Sequence, residues 1–445
     1  RSGGNGGQGA FPACDMMCWD RVFLHSVLLS LLYTLIIPTV WPFPLSTYGI
    51  SYLAASLSIL WLLEEHIQWP VQDLEEGSEM TTFLMDSFVI IIREIVTNSS
   101  YPVPQRAIGV GSAFEGWSPR EEDVVYSVLV PLNPPPGHTF HLEMDTSGHI
   151  PGRNFCIRDD NVLCSLHHPE DEQRRNEEPN FLNTLCTGSY LDVEKTARWF
   201  YQLVRAVWPA LPESHSWQIV LLPSSRCCKF KMSRDRESLM VEVLFGVQEG
   251  NSDIYVSSQP TEALFTPSTV WPETYAVAEM KFFRHIARQV PRDSWHLKCL
   301  QLLVRALLGI GFSTYTLKTI VMHLLNTVPL SGWRMRHFRQ RLEDTMEYLH
   351  GSLEEKRLDH FVVGNRTFPQ EILLPPDVKT AEPPNLFHRL AQDPAAHTQA
   401  MNECRTSLSA WSRCAPAQGS SRMTTCCAPS TTQRTSRGGT RSPTS

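Results

Sequence analysis

Residues 22–63 form a run of 42 positions without a single Asp, Glu, Lys or Arg. A charge-free stretch of this length constrains the fold more than any other feature of the chain. It is too uniformly apolar for the outer face of a soluble helix and is long enough to hold the ~20 apolar residues of a membrane helix. Pro38, Pro42 and Pro44 break or kink a helix where they fall and divide the run in two. The first part, VFLHSVLLSLLYTLII, is short for a span and reads as a short membrane helix or as the apolar part of a signal or anchor sequence. The second, LSTYGISYLAASLSILWLL, has the length of a span, with Tyr48, Tyr52 and Trp61 near the two interfaces. A buried apolar hairpin is the competing reading. Arg21 ahead of the run sets that end in the cytosol, so two spans return the main domain to the cytoplasmic side; a cleaved first segment changes this topology. The expectation is a single- or double-pass membrane protein.

Around this region the chain of 445 residues divides by composition. Residues 1–21 are a flexible N-terminal segment with a Gly-rich start, and 64–81 a connector. Residues 82–270 open with an amphipathic helix and carry strand patterns, VVYSVLVPL and SLMVEVLFGVQ among them. Residues 271–399 are dominated by helical periodicity, as in YAVAEMKFFRHIARQV and TYTLKTIVMHLLNTV. The fold class is therefore α+β, a mixed sheet lobe followed by a helical lobe. Residues 400–445, rich in Ser, Thr, Arg and Pro, read as a disordered or atypical tail.

The stretch VGSAFEGWSPREEDVVYSVLVPL, residues 110–132, holds the parts of a nucleotidyl-transfer site. That chemistry needs a turn whose backbone N–H groups hold a triphosphate, and carboxylates on neighbouring strands binding two metal ions. Gly111 and Ser112 supply a turn; Glu121 and Asp123, two apart, share one face of a strand; Glu242 lies inside the second strand, MVEVLFGV. Solvated carboxylates at strand ends are the alternative reading of the same residues.

Longer runs point further. GSAFEGWSPREEDVVYSVLVP, HLKCLQLL, FSTYTLKTIVMHLLN and RLDHFVVGN resemble, in this order along the chain, the male-abnormal-21-like (Mab-21 domain) family, which includes cyclic GMP-AMP synthase. LCTGSYLDVEKTARWFYQLV, LPSSRCCKFKM, WPETYAVAEMKFFRHIARQ and AEPPNLFHRLAQDP look like its inositol trisphosphate receptor-interacting protein-like branch, and the likeness covers residues 82–389. The resemblance implies a nucleotidyltransferase-like lobe on a helical lobe, tethered to a membrane. It also implies metal-binding roles for Glu121, Asp123 and Glu242, a phosphate turn at Gly111 and Ser112, and nucleotide stacking by Tyr315. Members of that branch are regarded as regulators or adaptors, so the expected function is non-catalytic regulation of an inositol trisphosphate receptor or another membrane signalling protein. No cofactor is expected in that case. The alternatives are an active transferase using two magnesium ions and a nucleotide or inositol phosphate sensor without turnover. One departure matters: Glu122 stands where a working strand places an apolar residue between its two acids. If the strand instead centres on VYSVLVP, the acidic position becomes Ser127 and metal binding is lost.

Other classes recede. A net charge of −7 excludes a nucleic-acid binder held by bulk charge, and Arg334, Arg336, Arg339 and Arg341 are followed at once by Glu343, Asp344 and Glu347. The zinc loop of cyclic GMP-AMP synthase is absent, since no cysteine follows His285 before Cys299. Cys156, Cys164, His167 and His168 match no regular zinc spacing and read as free thiols and surface imidazoles. The 12 cysteines form no disulfide framework, and GFS at Gly311 lacks the second glycine of a hydrolase elbow.

Overall fold

The computed structural model describes residues 71–97, 99–119, 124–146, 152–161, 184–235, 237–259, 266–307 and 312–414. The apolar run 22–63, where the sequence predicts membrane helices, lies outside them. No helix among the described residues is long and apolar enough to cross a membrane.

The first described element is a helix, α1 (Val71–Val96), which begins inside the expected connector. Its buried residues Leu74, Leu84, Met85, Phe88, Val89, Ile92 and Val96 recur at three- and four-residue steps, the spacing that brings side chains onto one helix face. That face closes over a mixed sheet.

The strands are β1 (Val103–Pro104), β2 (Ile108–Val110), β3 (Val125–Asn133), β4 (His138–Met144), β5 (Asn154–Asn161), β6 (Cys186–Thr187), β7 (Tyr190–Leu191), β8 (Gln218–Leu222), β9 (Cys228–Arg234), β10 (Glu237–Gln248), β11 (Tyr255–Ser257) and β12 (Val270–Thr274). They run in the order β1-β3-β10-β11-β12-β5-β7-β6, with β2 also on β3, β4 on β5, β9 on β10 and β8 on β9. β3 and β10 are parallel, and the remaining pairs are antiparallel.

Alternation along β3 and β10 gives the sheet two different faces. Tyr126, Val128, Val130 and Leu132 of β3, with Val241, Val243, Phe245 and Val247 of β10, join the main core against α1 and α2 (Val193–Val207). Phe200 of α2 meets Phe245 edge-on at 5.1 Å, and burying each such ring contributes on the order of 2–3 kcal/mol. On the opposite face Val110, Leu129, Leu244, Cys227 and Tyr255 form a smaller cluster with Val277. Asp192 caps α2 by accepting from the N–H groups of Glu194 and Lys195 and from Thr187 Oγ1 and Ser268 Oγ. Burial opposes the charge on Asp192, but these donors hold its carboxyl below the usual range.

The helices follow: α3 (Ala276–Gln289), α4 (His296–Leu307), α5 (Thr314–Thr327), α6 (Phe338–Glu354), α7 (Pro376–Thr380), α8 (His388–Gln392) and α9 (Pro394–Cys414). The α+β reading therefore holds. Two boundaries differ from expectation. β12 straddles the lobe boundary set at residue 270, because Trp271 is a wholly buried strand residue whose Nε1 donates to the Leu191 carbonyl at 2.9 Å. The disorder expected from residue 400 gives way to helix through Cys414, with Ala400, Met401 and Cys404 buried on one face. Polar composition hid that short stripe.

Candidate functional site: a turn and two strands around Glu242

β2 ends at Val110, opposite Ser127 of β3. Gly111 then takes a φ of 78°, a left-handed conformation that glycine adopts without a Cβ penalty. Ser112 leads into a single 3-10 turn, Ala113–Glu115, tied back by bonds from the Glu115 N–H to the Gly111 carbonyl at 3.1 Å and from Trp117 N–H to the Ser112 carbonyl at 3.0 Å. A methyl group on Gly111 would stand 3.9 Å from Ser127 Cβ, so the turn lies directly over that side chain.

Ser127 is the residue beside Glu242 in the parallel pairing of β3 with β10. Its Oγ donates to Glu242 Oε2 at 3.2 Å. The Lys229 ammonium lies 2.7 Å from Glu242 Oε1, and Cys227 Sγ is 3.5 Å from the same oxygen. A hydrogen bond to Glu242, opposed by partial burial and helped by its charge, raises the Lys229 ammonium above its ordinary pKa. Burial pushes the Cys227 thiol up to about 11, keeping it protonated and a donor. The structure thus sets the Gly111 turn over Ser127, which in turn holds Glu242. Glu121 and Asp123 lie outside the described residues; β3 itself begins at Val125, and the strand aligned with Glu242 is VYSVLVPLN.

Tyr315, half-buried on α5, is committed to a polar network. Its hydroxyl donates to Glu279 Oε1 at 2.7 Å and stands 2.8 Å from His360 Nε2. His360 Nδ1 accepts from the N–H groups of Val362 and Val363, both at 3.2 Å. That bonding assigns the proton to Nε2, which donates to the tyrosine oxygen.

Lys318, one turn along α5, bridges Glu115 Oε1 at 2.5 Å and Glu279 Oε2 at 2.7 Å, and Trp117 Nε1 donates to Glu115 Oε2 at 2.9 Å. Burial alone would discharge Lys318, but the two carboxylates raise its pKa. The acids separate. Burial raises Glu115 despite Lys318, whereas Glu279, also holding the Tyr315 hydroxyl, is lowered by the ammonium against its own burial. One ammonium compensates two buried charges unequally, and Glu279 is the acid it holds in the charged form. This ion triad fastens the end of the Gly111 turn to α3 and α5. Glu115, Glu279, Lys318 and His360 were not singled out from the sequence; the available signal was a charge at each apolar-face position of AFEGW, YAVAEM and TLKTIV.

Cys164, His167 and His168 lie outside the described residues, and Cys156 is a half-buried free thiol. Among the described residues no group of three or more His, Cys, Asp and Glu is arranged to hold a metal ion. In the arginine cluster, Arg339 pairs with Glu343 at 2.8 Å and Arg341 with Asp344 at 2.7 Å.

No family model matches the chain. Among curated proteins, it is 33% identical over 365 residues to inositol 1,4,5-trisphosphate receptor-interacting protein-like 1 of Rattus norvegicus, covering 76% of this chain and 66% of that protein. It is 27% identical over 367 residues to inositol 1,4,5-trisphosphate receptor-interacting protein of Takifugu rubripes, covering 75% and 67%. The Homo sapiens protein of the same name is 27% identical over 366 residues, covering 73% and 65%. The chain thus spans about two thirds of the length of the curated relatives it matches.

Proposed function

The chain belongs to the inositol 1,4,5-trisphosphate receptor-interacting protein family, and on that premise we propose that it is a membrane-anchored, non-catalytic regulator or adaptor. In this reading it acts on an inositol trisphosphate receptor, or another membrane signalling protein, through a degenerate nucleotidyltransferase-like fold of the Mab-21 kind. The relatives' names support the receptor as partner, and the apolar run 22–63 supports the anchor.

The observation that carries the non-catalytic reading is the state of Glu242. Two-metal transfer needs converging carboxylates free to bind the ions. Here the neighbouring strand position is Ser127, and Lys229 already neutralises Glu242. A hydroxyl, an ion-paired carboxylate and a protonated thiol do not fit a magnesium ion, so no step is assigned to one.

The test uses the full chain in receptor-containing microsomes. Co-precipitation of the receptor and a shift in inositol trisphosphate-evoked calcium release are expected. Titration with ATP and GTP should show no magnesium-dependent binding. Magnesium-dependent nucleotide turnover abolished by Asp123→Asn would overturn the non-catalytic reading, and absence of the receptor from the precipitate would overturn the partner.

A further inference from the structure

Among the described residues β8 is an open edge, pairing with β9 alone, antiparallel, with Gln218 against Ser233, Val220 against Lys231 and Leu222 against Lys229. On its other side, residues 218–222 make no backbone hydrogen bond among the described residues. Ile219 and Leu221 point into the main core, which fixes the strand in place. Val220 points the other way and is 55% exposed.

Strand edges are usually guarded by proline, charge or brevity, because a row of free N–H and C=O groups templates another strand. Among the described residues β2 and β6 are guarded by brevity alone, with three and two residues. β1 has two residues, one of them Pro104, and β4 carries His138, His141 and Glu143. β8 reads QIVLL, five residues with neither charge nor proline. Its outward face continues across the sheet as one row, Val220–Lys231–Met240–Val125, in which Val125 is also 42% exposed.

We propose that β8 is a self-association edge, at which two copies of this chain pair antiparallel about a two-fold axis through Val220 and join their sheets. The sequence around the axis is self-complementary. Val220 meets Val220 of the second copy, Gln218 meets Leu222, and Ser216 meets Ser224. No like charges stand opposite one another, whereas like charges directly across a strand pair are destabilising. Two-fold pairing satisfies both open edges at once and closes, as an isologous contact must. A charged partner strand would find nothing complementary on QIVLL itself. The contact area of one strand pair makes the dimer weak and concentration-dependent. The proposal is independent of receptor binding and of any chemistry at Glu242.

The experiment is sedimentation of the full chain in mild detergent across a concentration series, with Val220→Lys alongside. The unchanged chain is expected to show a monomer–dimer equilibrium, weakened ~10-fold or more by the substitution while the thermal midpoint stays put at this exposed position. Val220→Cys supplies a second readout on a nearly unchanged chain, since directly opposed Cβ atoms in such a pair fall within disulfide range. Mild oxidation should link the two substituted positions, identified as a single cross-linked peptide by mass spectrometry. A chain that stays monomeric throughout overturns the proposal. So does a dimer that Val220→Lys leaves intact with no cross-link at position 220, or a cross-link from that position to a different protein only.

Discussion

The Lys229 ammonium stands 2.7 Å from Glu242 Oε1, one strand away on β9, while Ser127 holds the other carboxylate oxygen from β3. A resident cation occupies the place where a metal would need an open carboxylate. Lys229→Met together with Ser127→Asp removes that cation and sets a second carboxylate beside Glu242. Magnesium is expected to raise the thermal midpoint of this double variant, by about 1.4 kcal/mol of stabilisation at tenfold over its Kd. The unchanged protein and Lys229→Met alone should not respond. A response from the unchanged chain would sink this account of the site.

Removing Lys318 leaves Glu115 and Glu279 buried without their shared ammonium. Lys318→Met should therefore cost about 3–5 kcal/mol, the usual effect of stranding a buried charge. Tyr315→Phe, losing one hydrogen bond to Glu279, should cost about 1–2 kcal/mol. Urea titration of both variants checks the order, and equal losses would mean that the triad does not carry the charge described here.

Stability should fall as pH drops below neutrality. Burial pushes His360 and His296 down to about 4, against ~6.5 in the unfolded chain. Between these values the unfolded state takes up protons that the folded state refuses, so stability present above about 6.5 is lost as pH falls towards 4.

Glu273 works in the opposite direction. Burial pushes it up to about 7 in spite of Arg153 at 2.5 Å, so its contribution is full below the ordinary carboxylate value and is lost as pH rises through 7. Between pH 4.5 and 6.5 it opposes the two histidines. Glu273→Gln should flatten the decline near neutrality and steepen the loss on acidification from pH 6.5 to 4.5, as read from urea midpoints at successive pH values.

Gly77 of α1 faces the Tyr126 ring so closely that a methyl group there would meet Oη at 2.1 Å and Cζ at 2.4 Å. Tyr126 is buried and has little room to move. Gly77→Ala should lower stability by about 1–3 kcal/mol through overpacking. Tyr126→Phe should not restore it, because the ring carbon still clashes. Combined with Tyr126→Leu, the loss should be smaller than the sum of the two single effects.

Alternation and helical spacing made much of this legible in advance. β3 and β10 follow from VVYSVLVPL and SLMVEVLFGVQ, whereas the setting of the Gly111 turn over Ser127, beside Glu242, depends on the register of β2 on β3 and of β3 on β10. Lys229 was hidden because β9, CKFKMSR, reads as an ordinary alternating strand, and only the register of β9 on β10 sets Lys229 across from Glu242. The triad was hidden for a related reason. A charge on an apolar helix face announces that it needs a partner, but its partner here comes from another part of the chain. The α9 stripe at Ala400, Met401 and Cys404 was too short to stand out from a Ser- and Arg-rich background.

The distance along the chain between Glu115 and Lys318, 203 residues, sets an order of events during synthesis. The Gly111 turn leaves the ribosome long before the helix that anchors it. At ~5–20 residues per second it waits roughly 10–40 s for α5. Its sheet partner also arrives late, since Ser127 and Glu242 are 115 residues apart. Until β10 emerges β3 has only β1 and β2 beside it and its other edge is open, and a nascent chain stalled before residue 318 offers chaperones a lobe whose turn lacks its ammonium anchor.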